Sequence, residues 1–194
     1  MLKNYKIILG SQSARRQELM RRLDIDFSVQ TIDDLQESYP SDLQTEKIPE
    51  YLAKLKADAF EKFLDDEKLL ITADTIVIVE GKVLGKPKDE ADAGTMLKAL
   101  SGKTHEVVTG VCLTTKKRQE IFSTFTKVTF ATLSDNEIDY YLSKYKPYDK
   151  AGSYGIQEWI GFVGVERIEG SFYNVMGFPV QKIYQKLKTF DDEQ

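Results

Sequence analysis

The chain has 194 residues, of which 41% are hydrophobic and 30% charged, with a formal net charge of −4. This length suffices for one sizeable core or for two lobes sharing one sheet, and the expectation is a single domain over residues 1–194. No apolar run approaches the roughly 20 residues of a membrane helix, so no membrane partner is expected, and the negative balance argues against polymeric nucleic acid while allowing a local cationic pocket for one small anion. Met1 leads through Lys3 and Lys6 into only Ile7, Ile8 and Leu9, too short an apolar run for a secretory leader. A lone Cys112 excludes an internal disulfide, and with His105 as the single histidine a Cys/His zinc site is dismissed, so a reducing cytoplasm fits.

In chain order, Tyr5 to Leu9 reads as a short buried strand, and Ser13 offers an N-cap to a helix from Ala14 to Leu23 with Leu19, Met20 and Leu23 inward. Phe27 to Ile32 predicts a second strand, followed by a polar loop through Glu37, Ser38, Tyr39 and Pro40. Pro49 suits a first helical turn, and helical periodicity runs from Ile48 to Leu64. Leu69 to Thr72 and Ile76 to Val79 read as buried strand, Glu80-Gly81-Lys82 as a turn, and Asp89 to Leu100 as a helix closed by Ser101-Gly102. His105 to Thr115 and Glu120 to Thr132 alternate as a hairpin around Lys116-Lys117-Arg118. Ser134 and Glu137 form a capping box for a helix to about Tyr145, glycine-rich loops and short strands fill Ala151 to Asn174, and Pro179 opens a last helix to about Phe190. The Asp191-Asp192-Glu193 run reads as a solvated end.

Several charges interrupt apolar faces. At about 100° per residue, Lys56 falls between Phe60 and Phe63 and near Leu52, whereas Lys54 falls with Glu50, Asp58 and Glu61. Lys54 is therefore a surface lysine, and Lys56 either snorkels past aromatic surface or projects into a cleft. Asp74 interrupts the apolar stretch from Leu69 to Val79, where an ionised carboxylate needs a cation, a metal or hydrogen bonds. It is either a bulge or turn residue bonded to nearby amides, or a carboxylate that binds a divalent ion or deprotonates a water. Lys86, in Leu84-Gly85-Lys86-Pro87, is either an exposed loop lysine or a phosphate ligand.

From Ser11 to Arg16 the chain supplies hydroxyls, helix-start amides and two guanidiniums, all suited to phosphate oxygens, without the ending of a Walker A loop. Arg15 and Arg16 lie near the positive end of the helix dipole, a cost that an anion would relieve; the alternative is an exposed pair bridged to Glu18 or to distant acids. His105, Trp159 and most tyrosines read as packing groups, although Tyr154 could line a base pocket.

Taken together, the segments resemble the Maf family of nucleoside triphosphate pyrophosphatases. The matching pieces are Leu9-Gly-Ser-Gln-Ser-Ala-Arg-Arg-Gln-Glu-Leu19, Glu37-Ser-Tyr-Pro40, Lys56-Ala57, Ala73-Asp-Thr75, Leu84-Gly-Lys-Pro87, Leu100-Ser-Gly-Lys-Thr-His105, Thr109-Gly110, Tyr154-Gly-Ile-Gln157 and Gly170-Ser-Phe-Tyr-Asn-Val-Met-Gly177. They follow in family order from residue 9 to residue 177. The resemblance implies an α/β fold: an elongated mixed β-sheet with flanking helices and two lobes around a cleft, inosine triphosphatase-like. It implies Asp74 as the proton acceptor that activates water, Ser11, Arg16, Lys56 and Lys86 as triphosphate contacts, and Glu37 with Asp74 at a divalent cation, Mg²⁺ or Mn²⁺. Arg15, Thr75 and Gln157 match the positions that choose the base, and the double arginine resembles the branch acting on dTTP and UTP. A cytoplasmic homodimer is implied as well.

Two departures stand out. Ala14 occupies a helix start where the family usually has proline, which would only preset a φ that alanine can adopt. Asp33 and Asp34 compete with Glu37 for the metal position, and Glu37 is preferred because Ser-Tyr-Pro follows it. The alternatives are a nucleotide-binding regulator of septum formation, and a pyrophosphatase for a modified purine nucleotide such as 7-methyl-GTP.

Overall fold

Runs of β-branched and leucine side chains, broken by turn residues, assemble one mixed sheet with helices flanking it. A computed structural model describes residues 5–190; Met1 and Lys3 at the start and the acidic Asp191-Asp192-Glu193 end lie outside the described residues. The strands are β1 (Lys6–Leu9), β2 (Phe27–Val29), β3 (Lys68–Val79), β4 (Lys82–Leu84), β5 (Thr104–Thr114), β6 (Gln119–Phe130) and β7 (Val165–Glu169). Their order is β2-β1-β3-β5-β6-β7, with β4 paired to β3. β1 runs parallel to β2 and to β3, with Ile7 opposite Phe27 and Leu69. The β3–β4 and β6–β7 pairs are antiparallel.

The helices are α1 (Ala14–Arg21), α2 (Ile48–Asp58), α3 (Glu90–Leu100), α4 (Asp135–Tyr145), α5 (Trp159–Gly164), α6 (Phe172–Val175) and α7 (Val180–Phe190). Their starts follow the capping chemistry of the sequence. The Ser13 hydroxyl accepts from the Arg16 amide, so α1 begins at Ala14 without needing proline. Asp89 caps α3, and Ser134 with Glu137 forms the full capping box of α4.

The chain divides into two compact units. One comprises Met1–Asp74, Thr109–Thr124 and Gly177–Gln194, the other Thr75–Val108 and Phe125–Met176. In the first, Ile8, Ala53, Ala57, Phe60, Leu70 and Cys112 pack as a core. Burial pushes the Cys112 thiol up to about 11, which keeps it an inert packing group. In the second, Val77, Leu97, Val107, Val128, Phe130, Tyr141 and Ile160 belong to the larger core.

Several elements differ from the pattern. β3 is a single strand through Asp74 and Thr75, not two runs parted by a bulge or turn. α2 stops at Asp58 and a 3₁₀ turn over Glu61–Phe63 follows, which buries Phe60 while Phe63 stays exposed. α1 ends at Arg21, two residues short of Leu23, and β2 at Val29, an exposed edge residue. The stretch read as loops and strands contains α5 and α6. Tyr154 is buried, its hydroxyl shares a 2.7 Å hydrogen bond with His105 Nε2, and both rings pack edge-on against Phe130.

Gly110 allows β5 and the start of α2 to approach backbone to backbone. A Cβ there would lie 2.2 Å from the Pro49 carbonyl carbon and 2.4 Å from the Glu50 nitrogen, atoms that cannot swing aside. Gly110→Ala is expected to lower stability by about 3 kcal/mol, the upper range for overpacking. Urea unfolding of the variant checks this, and a loss below about 1 kcal/mol would refute the contact.

His105 is buried, and its Nδ1 has no hydrogen-bond partner. Burial holds its pKa near about 4 in the fold, against 6.5 ordinarily. Across that window the unfolded chain binds a proton that the folded chain does not. Stability is therefore complete above pH 6.5 and falls as pH drops towards 4, by up to about 3 kcal/mol. His105→Phe is expected to flatten this dependence in urea titrations between the two pH values.

Candidate functional site

The first unit gathers six of the residues singled out from the sequence. Ser11 lies just after β1 and is buried; its hydroxyl accepts from the Ser13 amide at 3.3 Å, and its carbonyl accepts from Gln17 Nε2 at 3.3 Å. The β1–α1 turn is thus held by its own polar atoms, and the first turn of α1 follows with Arg15 and Arg16, both half-buried. Arg16 does not bridge Glu18. Its Nε donates to the Gly177 carbonyl and its Nη1 to the Ala73 carbonyl, each at 2.8 Å. Glu18 pairs instead with Arg21 and Arg22 on the exposed side of the helix.

Neutral carbonyls orient the guanidinium without cancelling its charge. Burial lowers the Arg16 pKa, the fields of Asp74 and Glu37 raise it, and Arg15 lowers it. A guanidinium starts so high that it remains a cation.

Lys56 ends on two carboxylates rather than in open solvent. Its side chain, 14% exposed, leaves α2 and places Nζ 2.6 Å from Asp74 Oδ1 and 2.8 Å from Glu37 Oε2. Asp74 is 13% exposed and Glu37 44%. The strand carboxylate therefore finds its required partner on a helix, with a second carboxylate from the loop on the same ammonium. The register between α2 and β3 is fixed one turn earlier, where the Thr72 hydroxyl donates to the Ala53 carbonyl at 2.7 Å. Lys54 faces outward to Asp58, as its position on the helical wheel requires. Asp33 and Asp34 are exposed, and Glu37 is the loop acid that meets Lys56.

The remaining three belong to the second unit. Thr75 follows Asp74 in β3 and is half-buried. Lys86 is exposed after β4; the preceding Gly85 carbonyl accepts from the Gly152 amide at 3.0 Å. Gln157 precedes α5, and its side-chain oxygen is buried without a hydrogen-bond partner.

The donor set fits a small divalent cation. Glu37 and Asp74 already converge on one positive charge, and carboxylate oxygens are the hard ligands preferred by Mg²⁺ and Mn²⁺. Among the described residues no three His, Cys, Asp or Glu side chains form a metal cluster. Such an ion would complete its shell with water and phosphate oxygens, as Mg²⁺ commonly does. Sequence reading missed the two carbonyls that hold Arg16, because Ala73 and Gly177 carry no side-chain chemistry that could announce them.

Residues 6–190 match the Maf family of Maf-like proteins. A dTTP/UTP pyrophosphatase of Porphyromonas gingivalis is 57% identical over 98% of this chain and 97% of its own length. A protein of the same name from Bacteroides fragilis is 57% identical over 96% of this chain and 97% of its own. Of solved structures, a HAM1 protein from Coxiella burnetii is similar with a TM-score of 0.46 at 16% identity, covering 95% of this chain and 99% of that one. On the strength of the family match and the sequence relatives, the chain belongs to the Maf family.

Proposed function

We propose that this protein hydrolyses dTTP and UTP to the nucleoside monophosphate and pyrophosphate. The observation that carries the reading is the contact of Lys56 with both Asp74 and Glu37, a charged cluster beside the helix start that bears Arg15 and Arg16. The near full-length identity to proteins named dTTP/UTP pyrophosphatase supplies the base.

In this mechanism Asp74 is the general base. Lys56 engages Oδ1, which leaves Oδ2 to accept the proton of the attacking water. The water oxygen bonds to the α-phosphorus while the bond from that phosphorus to the bridging oxygen breaks, and pyrophosphate departs with the electron pair. Ser11, Arg16, Lys56 and Lys86 bind and orient the triphosphate, with Arg16 held by its two carbonyls so that little side-chain freedom is lost on binding. Glu37 and Asp74 would hold Mg²⁺ or Mn²⁺, which when bound offsets the charge of the phosphate oxygens. Arg15, Thr75 and Gln157 choose the base. The proposal extends to a cytoplasmic homodimer that acts without nucleic-acid polymer or membrane; no helix among the described residues is long and apolar enough to cross a membrane.

The test is release of pyrophosphate and of phosphate from a panel of canonical and modified nucleoside triphosphates with Mg²⁺ or Mn²⁺. Pyrophosphate from dTTP and UTP, with 7-methyl-GTP inert, is the expected result. Binding without turnover of any nucleotide would overturn the enzymatic reading in favour of a regulatory one.

Asp74→Asn is expected to lower kcat by about 100-fold or more while retaining fold and nucleotide affinity, the scale of a lost general base. Near-normal turnover would remove Asp74 from that role. Lys56→Met leaves two carboxylates facing each other without their cation, and calorimetry should find nucleoside triphosphate binding weakened by about tenfold or more.

A further inference from the structure

The second unit contains a buried chain of polar groups that the proposed reaction does not use. Lys150 is buried, and its ammonium lies 3.0 Å from Glu158 Oε1 and 2.8 Å from Asp149 Oδ1. The other oxygen of Glu158 accepts from the Tyr141 hydroxyl. The Tyr141 oxygen in turn accepts from the Gly155 amide at 3.0 Å. Lys150, Glu158 and Tyr141 thus reach from the end of α4 to the two sides of the segment 155–158, whose ends are also joined by the Glu158 amide donating to the Gly155 carbonyl at 2.9 Å.

Gln157 lies inside this clamp. A Cβ on Gly155 would stand 3.0 Å from Gln157 Nε2 and 2.8 Å from the Glu158 carboxyl carbon, so both side chains crowd the same bare Cα. The Gln157 oxygen is buried and has no hydrogen-bond partner, so its accepting capacity is unspent. Burial and the Glu158 contact both push the Tyr141 pKa up, which keeps the phenol a proton donor to Glu158.

We propose that Lys150, Glu158 and Tyr141 are positioning residues that fix the amide of Gln157 and so set base selectivity. The inference rests on the proposed function, in which Gln157 faces the base. An acceptor held in one orientation favours a base edge that presents an N–H, as uracil does at N3, and disfavours cytosine, whose N3 is itself an acceptor.

The test compares wild type, Tyr141→Phe, Lys150→Met, Lys150→Arg and Gln157→Ala by kcat/KM for UTP and CTP, by calorimetry with their α,β-methylene analogues, and by thermal unfolding. Tyr141→Phe and Lys150→Met should reduce the UTP-to-CTP ratio by about tenfold, the scale of one lost charged hydrogen bond, chiefly through KM for UTP. Lys150→Arg should restore most of it. Combining Lys150→Met with Gln157→Ala should lower the ratio no further than Gln157→Ala alone. A ratio unchanged in Tyr141→Phe and Lys150→Met while Gln157→Ala collapses it would overturn the proposal and leave Gln157 as base reader. A ratio unmoved by Gln157→Ala would overturn both. Equal losses for UTP and CTP with lowered Tm would reduce the network to a purely stabilising role and equally refute the proposal. Should wild type release no pyrophosphate from any nucleotide, the activity falls, and the analogue affinities still decide whether the clamp governs the base.

Discussion

A carboxylate in the middle of a buried strand is the constraint around which the first unit is arranged. Asp74 has fully buried residues close on either side in β3, and an ionised carboxyl in such surroundings costs several kcal/mol unless a partner is delivered to it. Lys56 is that partner, and it arrives only because α2 is fixed to the sheet. Thr72 ties β3 to α2 through the Ala53 carbonyl, Gly110 admits the start of α2 against β5, and Phe60 anchors the turn beyond its end. Leu52, Ala53 and Ala57 of α2 are buried, so the helix presents Lys56 from a packed surface with few alternative rotamers. The ion pair is therefore a consequence of packing as much as of charge.

The start of α1 follows the same logic with opposite sign. Arg15 and Arg16 face the positive end of the helix dipole, and α1 has no acidic residue in its first turn to offset them. Arg16 spends donors on two carbonyls, which fixes its plane and leaves its charge intact. The fields of Asp74 and Glu37 act on it and oppose the cost of its burial. Cations gathered at a helix start, on a chain whose net charge is −4, suit a polyanion such as a triphosphate.

Much of this was legible in the residues, and the failures have physical causes. Local signals held: Ser13, Asp89 and the Ser134–Glu137 pair announce helix starts because capping is decided within four residues. The helical wheel separated Lys56 from Lys54 because the two lie on different faces of α2. β3 was read as two runs parted around Asp74, since the cation that allows a charge inside a strand comes from another element 18 residues away. α5 was hidden for the opposite reason. Its residues Trp-Ile-Gly-Phe-Val-Gly are short and glycine-rich, with Phe162 82% exposed, so no amphipathic stripe marks it. The Arg16 anchors were invisible because backbone carbonyls have no residue code.

Two ammonium–carboxylate pairs in the molecule differ in a way that separates structure from chemistry. At Lys150, Glu158 commits both oxygens, one to the lysine and one to Tyr141, and the pair is closed by protein on every side that the geometry defines. At Lys56, Asp74 and Glu37 each commit one oxygen to the same ammonium and retain the other. A carboxylate with an oxygen in reserve can take up a proton or an ion without giving up the contact that holds it in place. A saturated one can do so only by breaking its support. Burial does not separate the two pairs: side-chain exposure is 9% and 19% at Lys150 and Glu158, and 14% and 13% at Lys56 and Asp74. The uncommitted oxygen is what favours Asp74 over Glu158 for the proposed reaction.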